Sequence, residues 1–160
     1  MKTIARSVLA VIVGFVAASA VMTLNEWING HVFYPDLGRA AEGVTDKEVI
    51  RALMATAPVG ALLVVIFGWA LGSFVGGFLT AWIGRNAPIA HALILGGLLT
   101  LAGVANNLMI PPPAWFWVFS LLVFLPAVYV GARLGYGQAA ADAAISASRG
   151  PAKDGTPSSS

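Results

Sequence analysis

Two short groups of polar residues interrupt an otherwise apolar chain. Asn25, Glu26, Asn29 and His31 close the first apolar stretch, and Asn106 and Asn107 close the third. A carboxylate and an imidazole can exchange protons or hold a cation. Asparagine amides supply both donors and acceptors for a bound solute. Glu26 is the only acidic residue close to an apolar run. Moving it to a bilayer centre costs a few kcal/mol on insertion scales (~3), so it must face a partner, a cavity or the lipid headgroups. Two readings follow. In one, these side chains cap helix ends and bridge helices near the membrane surface. In the other, they line a polar pocket open to the outside.

Other chemistries are constrained. Cysteine is absent, which removes disulfides, thiolate metal sites and cysteine nucleophiles. His31 and His91 fall at opposite ends of different apolar stretches, on the order of 25–30 Å apart across a bilayer core, so they cannot share a haem or metal within one chain. Glu26 and His31 are about 140° apart on a continuous helix, poor geometry for a shared ion. No H-E-x-x-H, G-x-S-x-G, S-x-x-K or phosphate-binding glycine loop occurs, and no pair of carboxylates lies in an apolar run. The expectation is a non-enzymatic protein with no metal and no cofactor. A haem or quinone site at one histidine is the weakest alternative.

The elements that position these residues are four apolar stretches, at about 5–29, 58–83, 88–110 and 115–134. Each approaches or exceeds the ~20 residues that carry an α-helix across hydrocarbon. Charged residues make up 10% of the chain and mean hydropathy is +0.83; soluble domains carry about 25% charge. The expected fold is all-α: a polytopic membrane domain over residues 1–134, with four transmembrane helices as two antiparallel hairpins. Residues 135–160 form a tail, partly disordered, with a short helix around 138–148. A net charge of +2 gives no reason to expect nucleic acid. Lys2, Arg6 and Ala18-Ser19-Ala20 imitate a cleavable leader, but the apolar run continues through Leu24, so an uncleaved signal-anchor helix is expected.

Lys2, Arg6, Arg85, Arg133, Arg149 and Lys153 share one side if four helices alternate. The positive-inside rule then puts both termini in the cytoplasm and residues 30–57 outside a bacterial inner membrane. Gly84 to Pro88 is too short a link for anything but neighbouring helices, and Pro111-Pro112-Pro113 cannot continue one. Trp27, Trp82, Trp115 and Trp117 sit where interfacial anchors belong, whereas Trp69 falls mid-span. Thr45 and Glu48 read as a capping box for a short amphipathic helix in the outer loop, suited to the lipid interface or to a docking or lid role. Pro126 predicts a kink in the fourth helix.

The second helix carries Gly68, Gly72 and Gly76 at intervals of four, with Ser73 and Gly77 in a row beside them. Such a small-residue face lets another backbone approach closely. It packs the first or third helix of the same chain, or serves a homo-oligomer or larger membrane complex. Gly96, Gly97 and Gly103 are candidate complements.

The segments Glu26 to Pro35, Trp69 to Gly77, and Trp115-Phe116-Trp117 through Arg133 together resemble a group of small four-helix bacterial inner-membrane proteins. The resemblance implies the four-helix architecture and no particular activity. It groups Glu26, His31, Tyr34 and Pro35 into an outer-side cluster. Two functions stand as expectations: an accessory or structural subunit acting through helix packing, and a small transporter or channel with a polar cavity at Glu26, Asn106 and Asn107.

Overall fold

The computed structural model describes residues 2–148. Arg149, Lys153 and the disorder expected at the end of the tail lie outside the described residues. The described residues form an all-helical fold: α1 (Lys2–Ile28), a π-helical turn (Asn29–Phe33), α2 (Pro35–Ala41), α3 (Lys47–Thr56), α4 (Val59–Ile83), α5 (Pro88–Met109) and α6 (Ala114–Ser148). Four of these helices are long and apolar enough to cross a membrane.

α4 is central, with its most extensive contacts to α6 and then to α1. Its glycines explain this. A Cβ on Gly76 would meet the Gly14 carbonyl at 2.7 Å, and one on Gly72 would meet the Ala18 carbonyl at 2.7 Å. Gly68 lies under the Asn25 side chain. The first row therefore seats α1. The second faces α6, because a Cβ on Gly77 would run into the Val128 backbone. Gly131 and Gly135 answer from α6, against the backbones of Phe74 and Phe78. α4 and α6 are not sequence neighbours, yet theirs is the tightest backbone approach.

The complements differ from expectation. Gly96 and Gly103 face Leu125 and Phe124 of α6 rather than the glycines of α4, and Gly97 faces open space. Polar stitches fix the two ends of the α1–α4 contact. Asn25 Nδ2 donates to the Val64 carbonyl at 2.9 Å and Asn29 Nδ2 to the Ala61 carbonyl at 3.1 Å. At the opposite end Thr80 Oγ1 donates to Ala10 O at 3.3 Å and Arg6 Nε to Ile83 O at 2.8 Å.

The fourth long helix does not stop near 134; α6 continues without a break to Ser148. The Ala-rich stretch there has the highest intrinsic helix propensity, so nothing local ends the helix. Its 35 residues correspond to about 52 Å, well beyond a ~30 Å hydrocarbon core. The extension is tied back to α4, where Trp82 Nε1 donates to Asp142 Oδ2 at 3.2 Å. Pro126 lies inside this helix.

The segment between α1 and α4 holds two helices rather than one. Gly38 of α2 rests on the backbone of Gly30, folding α2 back onto the π-helical turn. The N-cap of α3 is Asp46, not Thr45: Asp46 Oδ1 accepts from the backbone N–H of Glu48 at 2.8 Å and of Val49 at 3.3 Å. A carboxylate also complements the positive end of the helix dipole, which a hydroxyl does not. Asp46→Ala is expected to cost α3 about 1 kcal/mol. Hydrogen exchange of the α3 amides reads this as faster exchange confined to residues 47–56, whereas Thr45→Ala leaves them unchanged.

Candidate functional site

The site lies where the last turns of α1 and α5 face α4 and the start of α6. Glu26 is exposed at the surface of the chain, and its carboxylate does not meet an asparagine. Its Oε1 accepts the indole N–H of Trp69 at 3.1 Å. Trp69 is only 4% exposed. Its ring stacks on Phe124 at 5.3 Å between centroids and meets Phe116 edge-on at 5.8 Å. The mid-span tryptophan is thus a core aromatic whose one polar atom needs an acceptor, and Glu26 supplies it. This partnership joins residues 43 apart in sequence.

α1 and α5 touch much less than either α1 and α4 or α5 and α6 do, and the space left over forms a cavity of about 210 Å³. Glu26, Trp69, Asn106, Ser19 and Phe15 line it. A second cavity of about 310 Å³ lies against α2 and α3, lined by Glu26, Asn29, Asn106, Asn107, Met54 and Phe116 among others. Glu26 and Asn106 border both. From Glu26 to Phe15 the first cavity follows α1 for about 16 Å at 1.5 Å per residue.

The amide geometry is determined by its partners. Asn29 gives an N–H to the Ala61 carbonyl, which can only accept, so its Oδ1 must face elsewhere. The Ser120 hydroxyl donates to the Trp117 carbonyl at 3.3 Å and accepts from Asn107 Nδ2 at 3.2 Å. That again leaves the amide oxygen turned away. Asn29 Oδ1 and Asn107 Oδ1 are both buried without a hydrogen-bond partner. Asn107 is fully buried and Asn29 is 7% exposed. Buried amide oxygens are normally paired, so two orphans on residues that line one cavity are a departure from ordinary packing.

Glu26, Asn29, Asn106 and Asn107 are therefore brought together, and Asn25 stands beside them bound to α4. His31 is not. It is exposed, stacks on Trp27 at 4.8 Å, and its Nδ1 donates to the Trp27 carbonyl at 2.9 Å. It borders a separate surface pocket with Arg39 and Glu42. Tyr34 places its hydroxyl against Gly60, so the outer cluster of Glu26, His31, Tyr34 and Pro35 does not form around Glu26. Five residues of helix already put His31 on a different side from Glu26 and one turn above Trp27. His91 lies beside Gly84, with its Nδ1 buried and unpartnered. Gly68, Gly72, Gly76, Ser73 and Gly77 are all buried inside the bundle. Among the described residues, no group of three or more His, Asp or Glu side chains could hold a metal.

Trp69 is the residue that sequence reasoning left out of the site. Its signal was its depth: an indole N–H far from either end of an apolar helix must find an acceptor within the protein. No protein-family model, curated protein or solved structure matches this chain.

Proposed function

We propose that this is a small polytopic membrane protein that binds a solute in the paired cavities at Glu26, Asn106 and Asn107, in the manner of a transporter rather than an enzyme. The observation that carries the reading is the convergence of one carboxylate and three asparagines, two with orphaned oxygens, on two adjoining cavities that share Glu26 and Asn106. The run of space from Glu26 toward Phe15 supports passage into the membrane rather than a surface cap. The positive-inside pattern supports a bacterial inner membrane with both termini cytoplasmic and residues 30–57 outside. Trp27, Trp82, Trp115 and Trp117 then anchor the bundle in lipid. The glycine pairings of α4 with α1 and α6 support two antiparallel hairpins laid side by side.

The accessory-subunit reading now rests on other surfaces. The small-residue face of α4 is occupied within the chain, so a second copy or a larger complex would have to meet outward residues such as Val8, Ile12 and Val16 of α1, which are exposed. Those residues suit lipid equally well.

The lack of cysteine makes the test direct, since single-cysteine variants need no background removal. Asn106→Cys in intact cells or right-side-out vesicles is expected to react with an impermeant maleimide added outside. Ala105→Cys and Leu108→Cys, exposed on the flank of α5 away from both cavities, are expected to react about 10-fold more slowly, because thiolate forms in water and not in lipid. Equal protection of all three positions would remove the cavity from the aqueous outside and the proposal with it.

A further inference from the structure

The larger cavity carries a carboxylate and no cationic side chain. Its polar border consists of Glu26, Asn29, Asn106 and Asn107, and among the described residues no Lys, Arg or His borders either cavity. The Glu26 carboxylate takes one N–H, from Trp69, and forms no ion pair among the described residues; the two ion pairs there are Arg39–Asp36 and Arg51–Glu48. The buried oxygens of Asn29 and Asn107 have no donor, while one N–H of each amide is taken, by the Ala61 carbonyl and by Ser120 Oγ. A ligand that completes this site must bring positive charge and N–H groups.

The rest of the lining narrows the class further. Leu62, Val65, Met54 and Ile110 are apolar, and Phe116 presents an aromatic wall. Trp69 and Phe124 continue that wall into the smaller cavity. Aromatic faces attract cations through the ring quadrupole. A volume of about 310 Å³ is far larger than a bare monovalent metal ion needs and is at the lower end of the range for small-molecule sites.

We infer that the site takes a small organic ammonium ion, a protonated primary or secondary amine with an apolar body. Its charge would sit against Glu26, its N–H groups would reach the amide oxygens, and its body would lie along Phe116. This rests on the cavity reading above and names its ligand class.

The test uses the full chain in lipid nanodiscs with benzylammonium as probe, and benzyl alcohol as its neutral counterpart. A variant with Trp27, Trp82, Trp115 and Trp117 changed to Phe leaves Trp69 as the only indole reporter. Benzylammonium is expected to change Trp69 emission saturably. Benzyl alcohol is expected to bind about 10-fold more weakly or worse, and Glu26→Gln to lose about 10-fold or more for the ammonium alone. Should the multiple variant fail to fold, protection of Asn106→Cys from maleimide by the same two probes gives the second readout. Equal binding of alcohol and ammonium, indifferent to Glu26→Gln, would overturn the ligand class and leave the cavity standing. Saturation by sodium chloride alone would assign a metal ion instead and also overturn it. No response to either probe overturns the inference, and the maleimide labelling of Asn106→Cys without ligand decides separately whether the cavity exists.

Discussion

Gly131→Ala is expected to destroy the folded bundle, although it adds one methyl group to a helix that alanine otherwise favours. The new Cβ would fall on the Phe74 carbonyl oxygen, 2.9 Å from its carbon and 3.0 Å from the Phe78 nitrogen. These are backbone atoms within a helix and have no rotamer by which to move aside. α4 and α6 would have to separate along their length. That would also open Gly77 from Val128 and Gly135 from Phe78. In lipid there is little hydrophobic force to hold separated helices together, so lost van der Waals contact is lost association. The cost should be on the order of 3 kcal/mol or more, the upper part of the range for overpacking. Gly97→Ala is the matched control. Nothing lies within 4 Å of the position its Cβ would take, so only helix propensity acts, for a gain of up to about 1 kcal/mol. Thermal or denaturant unfolding in detergent, followed by circular dichroism, separates the two. A Gly131→Ala protein that melts with the parent would show that the α4–α6 approach is looser than described.

The contrast between these glycines shows how far the chain could be read beforehand. Small residues at intervals of four marked a packing face on α4, because 3.6 residues per turn puts them on one side. Which helix they met was not legible, since it depends on the order and rotation of helices that no local pattern encodes. The four spans were legible because length and apolarity are themselves the physical requirement for crossing hydrocarbon. The end of α6 was not, because Gly135 and Gly137 suggest a stop while the Ala-rich stretch after them favours helix, so the segment reads equally as tail or helix. The two polar groups at Glu26 and Asn106 could be assigned a common depth by counting turns, and they do border the same space. The Trp69–Glu26 bond could not be found that way, since it joins two helices across 43 residues. His31 shows the opposite failure. It is near Glu26 in sequence, but the i, i+4 spacing stacks it on Trp27 at the surface.

Replacing Asn107 by Leu together with Ser120 by Ala is expected to leave the bundle as stable as before, or to stabilise it by about 1 kcal/mol, while weakening benzylammonium binding about 10-fold. The pair is buried and joined by one hydrogen bond, from Asn107 Nδ2 to Ser120 Oγ, and the Ser120 hydroxyl makes a second, longer one to the Trp117 carbonyl of its own helix. A neutral bond of that kind contributes about 1 kcal/mol net. Against it stands the desolvated Asn107 oxygen with no donor, which costs about 1–3 kcal/mol. Exchanging both partners for apolar groups removes the bond and the penalty at once, and the extra volume of Leu has the adjoining cavity to enter. If the asparagine served only to bridge α5 and α6, the double variant would instead lose stability and leave the ammonium affinity as it was. A structural role and a binding role thus predict opposite signs for the same two substitutions. A buried acceptor that weakens the fold is intelligible when a ligand donor completes it, and unfolding midpoints measured with and without benzylammonium read that directly: the ligand should raise the midpoint of the parent chain and have far less effect on the double variant.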